Sequence, residues 1–261
     1  MTRLEAFEAG TDNFPPIRDL TLDHPWDWLA KGWRDLQAAP LASLSYGVMF
    51  VIAGYLLFGL VFAAGLFYLV LPLLSGFLLV GPIVAMGLYE ISRRRELGLA
   101  ITLAGALRAW RANGAQIAAF GVILMLIFLA WMQLSILVFA LMFDGVTPNW
   151  ENFIDRVFLT AEAFPLLAAM TLLGAFLAVL VFAISAFAVP MLLDRTTNAF
   201  DAMRISVRAV RHNPRPMALW AAQIAAFTLL GLATFMIGLV VMLPLIGHAT
   251  WHAYRDTIGP G

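Results

Sequence analysis

Charged residues are missing from long stretches of this chain, a pattern typical of helices that cross a membrane. The longest stretch runs from residue 41 to residue 89, which is 49 residues without Asp, Glu, Lys or Arg. A single helix of this length would measure about 73 Å, whereas the hydrocarbon core of a membrane is about 30 Å thick. The stretch must fold back, and Gly65 near its middle suits a tight turn. It predicts two spans, near residues 42–64 and 66–89.

Three further charge-free runs complete the pattern. Residues 114–143 and 165–193 each predict one span. The last run, residues 217–254, would be about 57 Å long as one helix, which predicts a second hairpin that turns near Gly238. Its arms are spans near 217–236 and 238–254, and a single tilted, overlong helix is the alternative. The predicted fold is an all-α transmembrane helical bundle with about six spans.

The basic residues predict how this bundle is oriented. With six spans, 15 of the 16 Lys and Arg residues fall on one side of the membrane, and only Arg156 falls on the other. Basic residues are retained in cytoplasmic loops, so both termini are expected in the cytoplasm. Residues 1–25, with Pro15-Pro16 and scattered acids, predict a mobile cytoplasmic N-terminus. Residues 26–258 then form a single transmembrane domain.

Two of the linkers also have helical periodicity. In residues 198–213, apolar and charged side chains alternate with the spacing of an amphipathic helix, and Asn213-Pro214 ends it. In residues 150–161, large apolar side chains recur at helical intervals after Pro148. Both segments are interpreted as helices in the membrane interface. Packing onto the protein's own spans is the alternative, and it leaves the topology unchanged.

A short internal repeat links the linkers to the spans. The tetrapeptides 31–34 (KGWR), 108–111 (RAWR) and 208–211 (RAVR) share the order basic, small, bulky apolar, Arg, and each precedes a span that runs outward. The span that returns in each unit carries a proline: Pro82, Pro190 or Pro244. The pattern predicts three hairpin units inserted in the same direction, related by an axis along the membrane normal.

Composition supports a membrane protein and excludes several kinds of site. Hydrophobic residues make up 62% of the chain and charged residues only 12%, against about 25% charged in soluble domains. The formal net charge is zero, so no global field points to nucleic acid as a partner. The chain has no cysteine, which excludes disulfides, thiolate metal ligands and cysteine nucleophiles.

Two histidines near the C-terminus are the candidate metal ligands. His248 and His252 are four residues apart, so they share one face of the last helix, a spacing that can bind a metal. The favoured interpretation is different: with Trp251 and Tyr254 they form an amphipathic anchor at the level of the lipid headgroups. No metal site or cofactor is therefore predicted, and a metal or redox role through the two histidines is an alternative.

Clustered arginines are the candidate ligands of lipid headgroups. Arg93, Arg94 and Arg95 form the densest charge cluster, which suits a topology anchor and could also bind anionic headgroups. The last arginines of the three repeated tetrapeptides form a second, equivalent set: Arg34, Arg111 and Arg211. Membrane lipids are accordingly the predicted partners, and another membrane protein complex is a further possible partner.

Several pieces of the chain resemble a known protein family. The closing stretch Gly247–Asp256 (GHATWHAYRD) carries the resemblance most clearly. Shorter pieces are Gly32-Trp33, Tyr46-Gly47, Gly76-Phe77, Gly81-Pro82 and the stretch from Ser92-Arg93-Arg94 to Glu96. From about residue 25 to the end, the chain is similar to a bacterial family of polytopic integral membrane proteins, a domain of unknown function. The resemblance implies a multi-pass protein of the bacterial inner membrane and implies no activity, cofactor or catalytic residue.

The composition of the predicted spans narrows the range of possible functions. They contain no Asp, Glu, Lys or Arg, whereas proton relays and ion-coupled carriers usually place ionisable groups inside the bundle. The chain also lacks a nucleotide-binding glycine loop, a G-x-S-x-G elbow and a zincin helix. The expected function is therefore non-catalytic, either as an accessory or scaffold protein or as a lipid-interacting protein. A passive channel or facilitator for a small solute is the alternative.

Overall fold

The computed structural model describes residues 15–66, 69–142, 160 and 164–259, and this part of the chain is helical without a strand. In chain order the helices are α1 (His24–Ala38), α2 (Pro40–Ala63), α3 (Val70–Val84), α4 (Met86–Glu96), α5 (Leu103–Leu107), α6 (Gly114–Met142), α7 (Phe164–Ser185), α8 (Ala188–Asp194), α9 (Ala199–His212), α10 (Pro214–Ala233) and α11 (Leu239–Ile258). A short 3-10 helix, Ala109–Ala112, lies between α5 and α6. The predicted all-α bundle is confirmed.

Five helical stretches in the described part are long and apolar enough to cross a membrane. They are Pro40–Ala63, Val70–Glu96, Gly114–Met142, Phe164–Asp194 and Pro214–Ala233. The second stretch joins α3 to α4, and the fourth joins α7 to α8. The sixth predicted span, 238–254, corresponds to α11, which is not among the five because polar residues fill its second half.

The last charge-free run consists of two helices. Residues 234–238 form a turn between α10 and α11, and Phe235 and Met236 have positive φ angles of 53° and 68°. A continuous helix cannot contain these angles, so the alternative of one overlong helix is wrong. The predicted turn near Gly238 is confirmed.

Buried side chains concentrate at one end of the bundle. We call this end the basic layer; it contains α1, α4, α5, the 3-10 helix, α8, α9 and residues 245–258 of α11. Leu88, Phe187 and Tyr254 there are 0% exposed. The remaining helices form the span layer, where the fraction of buried residues per candidate span is only 17–39%. The span layer exposes apolar side chains on most faces, as expected for helices that contact lipid.

The predicted amphipathic helix at 198–213 is α9. The side chain of Asn198 caps its first turn by accepting a hydrogen bond from the Asp201 backbone N–H at 2.8 Å. Its buried face includes Ala202, Ile205 and Ala209, whereas Phe200 is 70% exposed. Helix α9 therefore packs on the rest of the protein, which was the alternative interpretation, and turns Phe200 outward. The helix predicted at 150–161 lies outside the described residues.

Both ends of the described chain lie in the basic layer. The backbone N–H of Arg18 donates to the carbonyl of Thr257 at 2.9 Å. The side-chain amide of Asn213 donates to the Arg18 carbonyl at 3.0 Å and accepts from the Leu20 N–H at 2.9 Å. The predicted mobile segment 1–25 is therefore held against the bundle from Arg18 onward.

The three repeated tetrapeptides lead into joints of similar backbone geometry. The residue just before each outward helix is Ala39 (φ −134°, ψ 55°), Asn113 (φ −148°, ψ 57°) or Asn213 (φ −120°, ψ 56°). In each case the carbonyl of this residue accepts a hydrogen bond from the N–H four positions later, at 2.9–3.1 Å. The three joints therefore have similar backbone geometry, although the joint follows the last arginine of the tetrapeptide by five residues in the first unit and by two in the other units. A common axis for the three units stays a prediction.

Candidate functional site

The second half of α11 is the centre of the basic layer. It packs on α1, α2, α4 and α8. Glycines allow the closest of these approaches: a Cβ on Gly32 of α1 would lie 2.7 Å from the Ala249 nitrogen, and a Cβ on Gly247 would lie 2.6 Å from Leu88. Both distances are shorter than van der Waals contact, so these crossings require glycine.

His248 joins three helices through its imidazole ring. Its Nε2 lies 2.9 Å from the hydroxyl of Ser43 on α2, and its Nδ1 lies 2.8 Å from the hydroxyl of Ser92 on α4. All three side chains are buried, with exposures of 0% for His248, 0% for Ser43 and 2% for Ser92. Both nitrogens of a fully buried ring are therefore satisfied by protein hydroxyls, as burial of a polar group requires.

Ser92 also lies near the carboxylate of Asp35 and contributes to lowering the pKa of this group. A serine hydroxyl can both donate and accept a hydrogen bond, so the two contacts of the His248 ring are compatible with either neutral tautomer.

Asp35 of α1 is only 2% exposed and contacts α11 and α4. It accepts a hydrogen bond from Nε2 of His252 at 2.9 Å and forms an ion pair with Arg95. Burial alone would raise the pKa of Asp35, but the hydrogen bonds from His252 and Ser92 outweigh it, so the pKa lies below its usual 3.8. Asp35 is therefore a carboxylate at neutral pH, held by groups from α4 and α11.

A second set of contacts ties α11 to the ends of the two kinked spans. Glu96, which ends α4, accepts from the indole N–H of Trp251 at 3.1 Å and from Arg255 at 2.5 Å. Asp194, which ends α8, accepts from the hydroxyl of Tyr254 at 2.9 Å and from Arg255 at 3.3 Å. Arg255 thus bridges the carboxylates of two returning spans.

The anchor interpretation of this region is wrong. His248 and Tyr254 are 0% exposed and Trp251 is 1% exposed, so none of them faces lipid headgroups. They are enclosed because α1, α4 and α8 pack around α11. Most residues of the stretch GHATWHAYRD are buried inside the protein. Its last residue, Asp256, accepts hydrogen bonds from the ammonium group of Lys31 at 2.7 Å and from the indole N–H of Trp28 at 3.0 Å.

The candidate metal ligands are engaged in other contacts. A metal at His248 would have to displace Ser43 or Ser92 from a ring nitrogen, and Nε2 of His252 bonds to Asp35. Among the described residues no group of three or more His, Asp or Glu side chains is placed to hold a metal ion. The metal or redox role stays a prediction without a preformed site in this part of the chain.

The contact of the Ser43 hydroxyl with Nε2 of His248 is similar to the pair of a hydroxyl nucleophile and its general base. Ser43 is 0% exposed, however, so a substrate cannot reach its hydroxyl in this conformation. The hydrogen bonds of His248 therefore act in this structure as a link between helices.

The two predicted sets of arginines have different environments. Arg93 lies 3.4 Å from both Glu90 and Asp194, Arg94 bonds to Glu90 at 2.6 Å, and Arg95 pairs with Asp35. The arginines of this densest charge cluster are thus paired with the protein's own carboxylates. The spacing of Glu90 from Arg93 and Arg94 on one helix indicates the first pairs in advance, whereas nothing local indicates the pairs with Asp35 and Asp194.

The second set points outward. Arg34, Arg111 and Arg211 are all exposed, and none of them has an ion pair with a described carboxylate. The small residue two positions before each arginine is buried: Gly32, Ala109 or Ala209. The repeated tetrapeptides therefore present their last arginine in the same way, on the surface of the basic layer.

The central part of the chain is similar to a known protein family. Residues 69–194 match the model of a family described as a predicted integral membrane protein, DUF2189. The chain is similar to DUF2189 over this segment. The DUF2189 segment is just under half of the chain and extends from the start of α3 to the end of α8. No curated protein and no solved structure gives a significant match.

The DUF2189 match supports an integral membrane protein of unknown function, as the resemblance predicted. Gly76-Phe77, Gly81-Pro82 and the stretch from Ser92 to Glu96 lie inside the matched segment. Gly32-Trp33, Tyr46-Gly47 and the closing GHATWHAYRD stretch lie outside it. Ser92, Glu96 and Asp194 belong to the DUF2189 segment, so the segment supplies part of the groups that α11 binds, and α1 and α2 supply the rest.

Proposed function

We propose that the chain is a non-catalytic integral membrane protein that binds anionic lipid headgroups at its basic layer. Three equivalent arginines carry the proposal: Arg34, Arg111 and Arg211 are exposed and have no ion pair with a described carboxylate. A guanidinium in this situation is available for a phosphate, to which it can donate two parallel hydrogen bonds.

Aromatic side chains beside these arginines favour a membrane surface as the partner. Trp33 is 43% exposed and Trp110 is 51% exposed, and the guanidinium of Arg111 lies 5.5 Å from the Trp110 ring. Tryptophan concentrates at the level of the headgroups, because its ring is apolar and its N–H is polar. Each basic residue near an anionic surface contributes about 1 kcal/mol, so three together give a measurable affinity.

The orientation belongs to the same proposal. The basic layer carries the exposed arginines together with both ends of the described chain. Basic residues are retained in the cytoplasm, and we place the basic layer on the cytoplasmic side of a bacterial inner membrane. The arginines would then face the leaflet that carries anionic lipids.

The test is a triple replacement of Arg34, Arg111 and Arg211 by Gln. In vesicles that contain anionic lipid, the number of anionic lipids that stay bound after mild detergent extraction, counted by native mass spectrometry, should fall. The loss should be larger at low salt than at high salt, because salt screens exposed charges.

Two controls make the result specific. The triple replacement by Lys keeps the charge and should retain most of the binding. Replacement of the exposed Arg204 by Gln, which lies 3.8 Å from Asp201, changes the charge outside the repeated set and should have a smaller effect. Unchanged retention of anionic lipid in the triple Gln variant would refute the proposed function.

A further inference from the structure

The hairpin of α10 and α11 is shorter than the other helices of the span layer. At its turn, the hydroxyl of Tyr55 on α2 donates to the carbonyl of Phe235. Helix α2 enters the span layer at Ser43, beside the polar network, and ends at Ala63. At 1.5 Å per residue, Tyr55 lies about 18 Å beyond Ser43 and about 12 Å before the end of α2. The turn therefore stops well short of the far end of the bundle.

The length of α10, the other arm of the hairpin, places the turn at a similar depth. Trp220 of α10 packs edge-to-face on Trp28 of α1 with 5.6 Å between ring centroids, so Trp220 belongs to the level of the basic layer. From Trp220 to the end of α10 at Ala233 the helix rises about 20 Å. A hydrocarbon core is about 30 Å thick, so both measures leave the turn inside it.

The turn between α10 and α11 exposes large apolar side chains. Phe235 is 83% exposed and Ile237 is 64% exposed, and both are apolar. Some of its polar groups have partners within the protein: the hydroxyl of Thr234 donates to the Gly231 carbonyl at 2.8 Å and accepts from the Gly238 N–H at 2.8 Å. Irregular backbone inside a membrane requires such internal partners, because lipid tails offer none.

The short hairpin leaves a cleft beside it. Helices α2 and α3 scarcely touch each other in the described part of the chain, and the outer half of α2 has few neighbours. Leu56 is 70% exposed and Leu60 is 69% exposed. The cleft lies between α2, α3 and the turn, and its apolar lining includes Leu57, Phe58, Leu74, Phe77 and Met236.

We propose that this cleft binds one acyl chain of a lipid from the leaflet opposite the basic layer. The lining is almost entirely apolar, and the Tyr55 hydroxyl beside it is already bonded to Phe235. The cleft is continuous with the exposed apolar surface of α2, which lies at the depth of the lipid tails. An acyl chain is the occupant that this depth supplies, and the site does not depend on headgroup binding by the arginines.

Single cysteines test the depth of the turn, since the chain has no native cysteine. Ile237→Cys and Leu66→Cys, each in the otherwise unchanged protein in phosphatidylcholine vesicles, are treated with a membrane-impermeant maleimide. Leu66 lies in the connection between α2 and α3, at the far end of the bundle. The Leu66→Cys variant should react at once, and the Ile237→Cys variant should react only after detergent is added. Reaction of the Ile237→Cys variant in intact vesicles would place the turn in water and overturn the proposal.

A photoactivatable lipid tests the occupant. Phosphatidylcholine with a diazirine in its acyl chain should label α3 at Leu74 and Phe77 more strongly than the exposed face of α6, as mapped by mass spectrometry. Leu57→Trp fills the cleft and should reduce this labelling several-fold. Leu126→Trp, on an exposed position of α6 outside the cleft, should leave it unchanged. Equal labelling of both surfaces, or labelling that Leu57→Trp leaves intact, would overturn the proposal.

The two proposals can fail separately. The triple replacement of Arg34, Arg111 and Arg211 by Gln should leave the labelling of α3 in phosphatidylcholine unchanged, because the arginines lie in the basic layer and this lipid carries no net charge. Loss of cleft labelling in that variant would show that the acyl chain is held through its headgroup, contrary to the inference.

Discussion

The basic layer and the span layer are built from one chain but are stabilised in different ways. In the basic layer, charged and polar groups are paired and buried, as in Asp35 at 2% and His248 at 0% exposure. In the span layer, large side chains such as Leu56 at 70% and Phe176 at 66% stay exposed. Water drives burial in the first region, whereas lipid tails solvate apolar side chains in the second.

This difference indicates where the chain can tolerate change. A buried side chain of α11 in the basic layer contacts several other helices, because α1, α2, α4 and α8 pack around α11. A side chain of the span layer often contacts lipid alone, so its replacement removes few protein contacts. Matched substitutions in the two layers therefore test whether the layers are stabilised in different ways.

The largest difference is expected between two leucines. Leu88 of α4 is 0% exposed and contacts Gly247, whereas Leu56 of α2 is 70% exposed. Leu88→Ala should lower the free energy of unfolding by about 2–5 kcal/mol, because it leaves a cavity. Leu56→Ala should change it by about 0.5 kcal/mol or less. Unfolding of both variants in the same detergent measures the two values, and equal losses would contradict the division into layers.

The second comparison is between an ion pair with one buried partner and an ion pair with two exposed partners. Arg95→Met should cost about 1–3 kcal/mol, since it leaves the buried carboxylate of Asp35 with fewer partners. Arg204→Gln removes an exposed partner of Asp201 and should cost less than about 1 kcal/mol. Chemical unfolding at neutral pH measures both. A loss for Arg204→Gln as large as for Arg95→Met would contradict the buried network.

The pH dependence gives a second check on the same network. Because the pKa of Asp35 is lowered below 3.8, its carboxylate stabilises the fold above that pH. This contribution is lost as the pH falls through the lowered pKa. Asp35→Asn should therefore flatten the dependence of the melting temperature on pH below 3.8, while an unchanged slope would assign the acid sensitivity to other carboxylates.

The smallest effect is expected at two glycines. Gly32→Ala places a methyl group 2.7 Å from the Ala249 nitrogen and should cost about 1–3 kcal/mol by forcing α1 away from α11. A Cβ on Gly59 of α2 would meet nothing within 4 Å, so Gly59→Ala should be neutral or slightly stabilising. Thermal unfolding compares them, and a cost at Gly59 equal to that at Gly32 would show that helix crossing is not the cause.

Some features of the fold can be predicted from the sequence, and others cannot. The turn near Gly238 was predictable, because a charge-free run of 38 residues is too long for one span. The anchor interpretation of His248, Trp251 and Tyr254 failed, since a histidine with aromatic neighbours has the same local pattern at a membrane surface as in a buried crossing. Only the position of α1 over α11 distinguishes the two.

The candidate site likewise could be predicted from the sequence only in part. The repeated tetrapeptides and their exposed arginines follow from local spacing, and the small residue before each arginine is buried in all three units. The hydrogen bonds of His248 with Ser43 and Ser92, and of His252 with Asp35, do not follow from local spacing, because the partners are 156 to 217 positions apart. Serine and aspartate are common residues, so their pairing has no signature along the chain.

The sequence alone predicts the all-α fold, the approximate bounds of five long apolar helices and the end of the bundle at which basic residues collect, although α11, predicted as a sixth span, is not among the five. These properties are local, because the cost of placing a charge in hydrocarbon depends on each residue and not on its distant neighbours. The tertiary structure decided which carboxylate holds which arginine and how deep the last hairpin reaches. Both depend on how α1 and α2 pack against α11, where close contacts between distant residues replace the periodicity that a sequence displays.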